Sequence, residues 1–107
     1  MKFVKVVVFV PEPQAAKVRR AMIKAGAGCW PGGKYDQVSG EYRAIGRFRP
    51  LTEARPAIGQ RGREVEVREK RIEMLCECNL FPKVIELIKK AHPYEEPAIE
   101  VYPLLYP

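Results

Sequence analysis

The stretch AHPYEEPAIEVYPL, residues 91–104, separates a helical pattern from an extended one, and its prolines fix how the first gives way to the second. His92 precedes Pro93, and the residue before a proline avoids the α-helical region of backbone space. A helix therefore ends here, and the alternating apolar residues Ile99 and Val101 predict a strand immediately afterwards. The same stretch holds the only histidine of the chain, which makes it the first candidate for chemistry.

The segment before this turn, LFPKVIELIKKA (80–91), has apolar residues at helical spacing. Those that share one face are Phe81, Val84, Ile85 and Ile88. We expect Asn79 to cap the start of this helix, because its side chain can accept a hydrogen bond from a free backbone N–H. Pro82 then lies in the first turn, where its missing N–H costs little.

The first part of the chain also has an extended segment followed by a helical one. FVKVVVFVP (3–11) is almost free of polar residues, which is typical of a central strand buried on both faces. From Pro13 the apolar residues fall at helical spacing, and Gly26 suits the left-handed position that ends a helix. The apolar residues of this helix are Ala16, Val18, Met22, Ile23 and Ala25.

Two more strands are predicted between the helices. YRAIGRFRP (42–50), inside the irregular segment 28–63, predicts a strand with Tyr42, Ala44 and Phe48 facing inward. REVEVREKRIEMLCEC (63–78) alternates, but Val65 and Val67 have the opposite parity to Ile72, Met74 and Cys76. Such a change of phase indicates a β-bulge or a strand that changes the sheet it packs in. So long a strand has more edge than its own sheet covers, which favours pairing with another subunit.

The elements follow in the order strand, helix, strand, strand, helix, strand. This order predicts an α+β fold, a ferredoxin-like βαββαβ sandwich whose antiparallel sheet carries two helices on one face. A chain of 107 residues is long enough for one core, so we expect residues 1–107 to form a single domain.

The composition argues against a membrane protein and a secreted disulfide scaffold. No apolar run approaches the roughly 20 residues that a spanning helix needs, and the first strand lacks the cleavage site of a signal peptide. Three cysteines without a scaffold pattern suit a reducing compartment, so a cytoplasmic location is expected. The net charge of +6 favours anionic partners, although it also serves solubility.

The turn after the second helix holds four chemically active side chains, which are His92, Tyr94, Glu95 and Glu96. A lone histidine beside carboxylates can serve as a general base or a metal ligand. However, Pro93 and Pro97 make the segment rigid, and the sequence offers no accompanying nucleophile. We therefore interpret the stretch as a structural turn in which His92 caps the helix end.

The cysteines suggest a metal site as a second hypothesis. Cys76 and Cys78 share one face of a strand, so both sulfurs could hold a soft ion such as Cu(I). A tetrahedral zinc site needs two further ligands, for which only Cys29 and His92 remain. A lone C-x-C is also explained by cysteine acting as a small buried hydrophobe. The sequence therefore requires no cofactor. If these residues bind a metal, we expect a divalent ion or a copper ion.

The irregular segment 28–63 is basic, with seven basic side chains against three acidic ones. They are interleaved with the aromatic residues Trp30, Tyr35, Tyr42 and Phe48. This pattern suits single-stranded nucleic acid or another anionic ligand, because arginines hold phosphates and rings stack on bases. The alternative is that the arginines pair with glutamates of neighbouring strands or subunits. PGGK (31–34) lacks the spacing of a phosphate-binding loop, and nucleic-acid binding is the weaker hypothesis.

Several stretches, in chain order, resemble one known family. HPYEEPAIEVYPL (92–104) is similar to the HPYE-x-P-x-I segment of the CutA-type divalent-cation-tolerance proteins. A closer match is the insert domain of the YqfO-like, dinuclear-metal NGG-interacting-factor family, together with small proteins made of that insert alone. The other matching stretches are VVVFVPEPQAAKVRRAMIKAGAG (6–28), SGEYRAIGRFRP (39–50), ARPAIGQRG (54–62) and VEVREKRIEMLC (65–76).

The resemblance implies a PII-like, CutA-like domain that associates as a homotrimer through its long strands. In the full-length family the dinuclear metal site belongs to a separate flanking domain that this sequence does not contain, so hydrolase or cyclohydrolase activity is not expected. GKYD (33–36) replaces the GNYS-like segment of the insert family. Inter-subunit clefts are where such trimers would bind a ligand. The residues expected to line this cleft are Trp30, Tyr35, Arg47, His92, Tyr94 and Glu95.

The leading hypothesis is a small, non-enzymatic, trimeric binding or regulatory module whose partners are other copies of itself and a small-molecule or anionic ligand. The runner-up is metal binding of the CutA kind, with Cys29, Cys76, Cys78 or His92 as ligands. A third and weaker option is a catalytic domain that works in trans with a partner.

Overall fold

The central strand is β1 (Phe3–Pro11) in the computed structural model of the protein, which describes residues 2–107. The elements that follow are a 3-10 turn (Glu12–Gln14), α1 (Ala15–Lys24), β2 (Gly40–Phe48), β3 (Val65–Glu77), a second 3-10 turn (Cys78–Leu80), α2 (Phe81–Ala91) and β4 (Ile99–Pro103). The strands form one antiparallel sheet in the order β2-β3-β1-β4. The predicted α+β, ferredoxin-like βαββαβ fold is therefore confirmed.

The hydrophobic core lies between the two helices and one face of the sheet. Alternate residues of β1 point into it, and Val4, Val6, Val8 and Val10 are at most 3% exposed. The core residues of β3 are Ile72, Met74 and Cys76, and those of the helices include Val18, Met22, Val84 and Ile88. Burial of this apolar surface is the main favourable contribution to folding.

The change of phase in β3 occurs without a bulge. A single register holds along the whole β1–β3 ladder, and another holds along the whole β2–β3 ladder. The predicted β-bulge is therefore wrong. The strand instead presents apolar residues on opposite faces at its two ends, because Ile72 points to the helices while Val65 and Val67 lie on the helix-free face.

At its N-terminal end, β3 extends beyond β1. β1 pairs with residues 69–77 of β3, whereas β2 pairs with residues 65–73. Residues 65–68 therefore have a paired strand on one side only, within the part of the chain that the structure describes. The outer edge of β2 is also free, since β2 ends the sheet. The molecule is elongated accordingly, with extents of 47 × 23 × 22 Å.

The ends of both helices lie where the sequence predicts them. Gly26 follows α1 with a φ of +106°, a left-handed conformation that glycine adopts without a steric penalty. His92 follows α2 with an extended backbone, φ −83° and ψ 138°, as expected for a residue before proline. Lys89 and Lys90 lie in the last turn of α2, where positive charge interacts favourably with the helix dipole.

The helix starts differ from the prediction. Asn79 does not cap α2, because it lies in the 3-10 turn and Leu80 occupies the N-cap position without a side-chain hydrogen bond. α1 buries Ala15 against the sheet, whereas the predicted Ala16 is exposed. A 3-10 turn precedes each helix and shifts its first residue, and the helical periodicity alone does not reveal such a turn.

β2 begins two residues earlier than the predicted strand, and its side chains are less buried than expected. Tyr42, Ala44 and Phe48 share the helix-free face of the sheet and do not face the core as predicted. Ala44 and Phe48 are half-buried there, and Tyr42 is 53% exposed. Among residues 2–107, neither helix has the length and apolar character to cross a membrane.

Replacing Ile72 by alanine should lower the free energy of unfolding by about 2–5 kcal/mol, because the deletion leaves a cavity between the sheet and the helices. Ile72 is 0% exposed, whereas Leu105, which follows β4, is fully exposed and provides the control. We expect Leu105→Ala to cost about 0.5 kcal/mol or less. Urea unfolding followed by circular dichroism measures both variants. Equal losses would show that the helix-facing side of β3 does not form the core.

Candidate functional site

A cleft of about 960 Å³ opens on the helix-free face of the sheet, at the end where β3 extends past β1. Phe9 of β1 and Glu69 of β3 line it from the sheet. Its walls come from the last residues of β2, from the loop at residues 49–58, and from the turn at residues 94–98 that follows α2. The cleft therefore depends on four parts of the chain that are far apart in sequence, namely residue 9, residues 45–58, residue 69 and residues 94–98.

His92 fixes the turn to the central strand. Its ring is buried, and its Nε2 lies 2.7 Å from the carbonyl oxygen of Phe9. The Tyr94 N–H donates to Nδ1 over 3.1 Å, so the proton of the neutral ring is on Nε2 and is donated to Phe9. Burial lowers the pKa of His92, although the Phe9 carbonyl and the Glu69 carboxylate act in the opposite direction. Both ring nitrogens are thus used to hold the turn.

Tyr94 connects this turn to the sheet. Its hydroxyl donates to Oε2 of Glu69 over 3.1 Å, and its ring packs edge-on against Phe48 with centroids 5.6 Å apart. Burial raises the pKa of Tyr94, and the neighbouring Glu69 carboxylate raises it further. The phenol is therefore a hydrogen-bond donor at neutral pH, and it does not act as a base.

Glu69 is the buried acid of the cleft, with 5% of its surface exposed. It lies on the helix-free face of β3, opposite Ala44 of β2. A Cβ atom at the neighbouring Gly46 would overlap the Glu69 carboxylate. Glycine at position 46 therefore provides the space in which the carboxylate lies against the backbone of β2.

Two exposed contacts hold the outer walls, one made by a backbone N–H and one between charged side chains. The backbone N–H of Arg55 donates to Oε2 of Glu95 over 2.7 Å, and this bond connects the loop at 49–58 to the turn after α2. Arg47 lines the cleft, but its guanidinium is paired with Glu66, with Nη2 2.8 Å from Oε1. Exposed contacts of this kind contribute little to the free energy of unfolding. Here they connect the segments that form the outer walls of the cleft.

Of the six residues predicted to share one ligand site, the structure brings four together. Arg47, Tyr94 and Glu95 line the cleft, and His92 contacts Tyr94 directly behind it. The other two, Trp30 and Tyr35, lie in a loop whose residue 28 bonds to residue 75, at the opposite end of β3. They are 43% and 70% exposed. Within one chain they do not reach the cleft.

The residues predicted as metal ligands are dispersed. Cys29 is exposed in the loop after α1, Cys76 is buried in the core, and Cys78 is half-buried in the 3-10 turn before α2. Both nitrogens of His92 are occupied. Over residues 2–107 the fold assembles no group of three or more His, Cys, Asp or Glu side chains that could hold a metal ion. The four residues do not fit a zinc site in this arrangement.

Sequence reasoning missed Glu69 and the reason for Gly46. The sequence does contain a pattern that indicates a buried charge. Glu69 falls on the same face of the strand as Val65 and Val67, at a position where a third apolar residue is expected. The change of phase in β3 predicts a bulge or a strand that changes the sheet it packs in. A polar residue inserted into an apolar face is the alternative explanation, and it points to a buried polar site.

Comparison with protein families and curated proteins relates the chain to one part of larger proteins. No family model matches it. The chain is 38% identical over 102 residues to a protein of Listeria innocua named GTP cyclohydrolase 1 type 2 homolog. This match covers 95% of the chain and 27% of the relative. The chain therefore spans about a quarter of the length of the curated relatives that it matches.

Solved structures agree with this relation. A Bacillus cereus protein related to NIF3 superposes with a TM-score of 0.83 at 39% identity, covering 98% of this chain and 26% of that protein. The periplasmic divalent cation tolerance protein CutA from Archaeoglobus fulgidus superposes with a TM-score of 0.69 at 17% identity, covering 98% of this chain and 86% of that one. The first match supports the predicted relation to the larger proteins, and the second shows the shared CutA-like fold.

The buried imidazole should make stability depend on pH. Because the pKa of His92 is lowered in the folded protein, the unfolded chain takes up a proton first as the pH falls below about 6.5. The free energy of unfolding should therefore decrease below that pH, by at most about 1.4 kcal/mol per pH unit.

Urea unfolding of wild type and His92→Gln between pH 7.5 and 5.5 isolates this contribution, since the chain has no other histidine. His92→Gln should lack the steeper slope of the wild type. The ring proton signals of His92 in NMR spectra give the pKa directly. Parallel pH profiles for the two proteins would contradict the prediction.

Proposed function

We propose that this chain is a non-catalytic binding module that assembles as a homotrimer and holds a small ligand in the cleft beside Tyr94. The observation that carries this proposal is a cleft of about 960 Å³ in which the polar groups of His92 and Tyr94 already form hydrogen bonds within the protein. His92 uses both ring nitrogens, and Tyr94 donates its hydroxyl to Glu69. These commitments favour recognition of a ligand by the cleft over chemistry carried out by His92 or Tyr94.

The relation to larger proteins is consistent with a binding role. Those relatives carry the name GTP cyclohydrolase 1 type 2 homolog as whole proteins, and this chain corresponds to 27% of the Listeria innocua protein. We propose that the matched part contributes ligand binding and self-association, and that hydrolytic chemistry depends on other parts of those proteins. The three free cysteines suit a reducing cytoplasm, where we propose the protein acts.

Self-association is supported by exposed strand edges and apolar side chains. The outer edge of β2 and residues 65–68 of β3 are unpaired on one side, and unpaired edges are sites for strand addition. Ile45 and Leu51, at 56% and 61% exposure, lie beside these edges. Burying them in an assembly would remove apolar surface from water.

Light scattering coupled to size-exclusion chromatography should give a mass about three times the 12.2 kDa of one chain. Ile45→Lys should raise the fraction of smaller species, because it places a charge at the β2 edge. Lys83→Ala, on the exposed side of α2, serves as the control and should leave the mass unchanged. A wild-type mass equal to one chain at every concentration would exclude the trimer.

A second candidate function is the binding of a soft metal ion by the C-x-C pair. Burial, together with the neighbouring Cys78 and Glu77, raises the pKa of Cys76 to about 11, so a soft ion has to displace the thiol proton in order to bind. Two neighbouring sulfurs can hold Cu(I). The name divalent cation tolerance protein belongs to the CutA proteins that share this fold and carries no evidence of its own for this chain.

Titration with Cu(I) under reducing conditions tests this candidate. Wild type should take up one equivalent that the Cys76→Ser/Cys78→Ser variant loses, while Cys29→Ser should retain it because that thiol is exposed in the loop after α1. Circular dichroism checks that the double variant is folded. Equal uptake by wild type and the double variant would remove the C-x-C pair as a metal site.

A further inference from the structure

The Glu69 carboxylate lies in the cleft without a cationic partner. Only 5% of the residue is exposed, and its Oε2 accepts one hydrogen bond, from Tyr94. Among the described residues 2–107, Oε1 has no hydrogen-bond partner, and no lysine, arginine or histidine nitrogen lies within 4.0 Å of either oxygen. Burying an ionised carboxylate without a compensating charge is costly. Oε1 is not fully enclosed, so it can accept a further hydrogen bond from a group in the cleft.

The cleft is acidic in a basic protein. Its lining contains the carboxylates of Glu53, Glu69, Glu95 and Glu96 and two arginines, Arg47 and Arg49. Arg47 is already paired with Glu66, which does not line the cleft. The chain as a whole has a net charge of +6, so this concentration of negative charge runs against the composition. The local field favours a positively charged group.

The walls suit an organic cation better than a metal ion. The rings of Phe9, Phe48 and Tyr94 line the cleft beside Glu69, and aromatic faces attract ammonium and guanidinium groups. A metal ion needs several ligands that converge on one point, and no such group of three acidic, cysteine or histidine side chains is present among residues 2–107. One buried carboxylate beside aromatic rings matches a single organic charge with an apolar stem.

We propose that the cleft binds a primary ammonium or guanidinium group, with its charge on the Glu69 carboxylate and its alkyl stem against Phe48 and Tyr94. The inference rests on the proposed ligand-binding role of this cleft and names the chemical class of the ligand. The cation can belong to a small molecule or to a lysine or arginine side chain of a second copy of this chain. The chemistry is the same in both cases, and the experiment separates the two sources.

The first experiment uses n-butylammonium and n-butylguanidinium as probes, with 1-butanol as the neutral control and butyrate as the anionic one. Amide signals of Gly46 and Tyr94 in NMR spectra report binding. Both cations should shift these signals, with at least tenfold weaker binding in Glu69→Gln and unchanged binding in Glu77→Gln. Glu77 lies on the same strand at its exposed far end and is the matched control.

The second experiment measures the mass of Glu69→Gln and Glu77→Gln by light scattering. If a second copy supplies the cation, the probes leave the wild-type signals unchanged, while Glu69→Gln alone loses self-association. Equal binding of 1-butanol and n-butylammonium to wild type overturns the proposal even if Glu69→Gln fails to fold.

Absence of probe binding together with an unchanged mass for Glu69→Gln overturns it too. The wild-type mass tests the proposed trimer separately, so a monomer that binds the cations keeps this inference while excluding the trimer.

Discussion

The difference in length between β3 and β1 is the constraint on which the rest of the structure depends. β3 has 13 residues and β1 has 9, and their constant register brings them level at one end only. At the other end, β3 and β2 continue without the central strand, beyond the cover of the helices. This extension leaves an unpaired edge, and it creates the space that the loop at residues 49–58 and the turn after α2 enclose.

The packing of Glu69 against Gly46 determines the character of that space. A buried carboxylate is tolerated only where its desolvation is offset, and here a single Tyr94 hydroxyl does so in part. Because Tyr94 lies two residues after His92, the same hydrogen-bond series runs from the Phe9 carbonyl through the turn to the β3 strand. The same hydrogen bonds therefore make the cleft both rigid and polar. For this reason the turn has the residue types of a catalytic centre although its side chains hold the walls of the cleft in place.

The sequence predicts the elements of this fold better than it predicts the cleft. Gly26 and His92-Pro93 act through local backbone preferences, which operate wherever those residues occur, so both helix ends were predictable. The cap at Asn79 was not, because a 3-10 turn supplied by tertiary packing displaced it. The charge of Glu69 within an apolar face is visible in the local pattern, but the glycine that makes room for it is on another strand. Which residues of two strands face each other is a long-range property that the local pattern does not reveal.

The position of Trp30 and Tyr35 shows what an assembly would have to achieve. They lie at the far end of β3 from Tyr94, and the antiparallel ladder holds both ends rigidly apart within one chain. A single site that includes all of them requires the far end of one copy to contact the cleft end of another. In a closed ring such an interface occurs once per subunit. Each copy would then contribute its cleft end to one site and its far end to the neighbouring site. In such a ring the cleft beside Glu69 would be one half of a site, and the loop that holds Trp30 and Tyr35 in the next copy would be the other half.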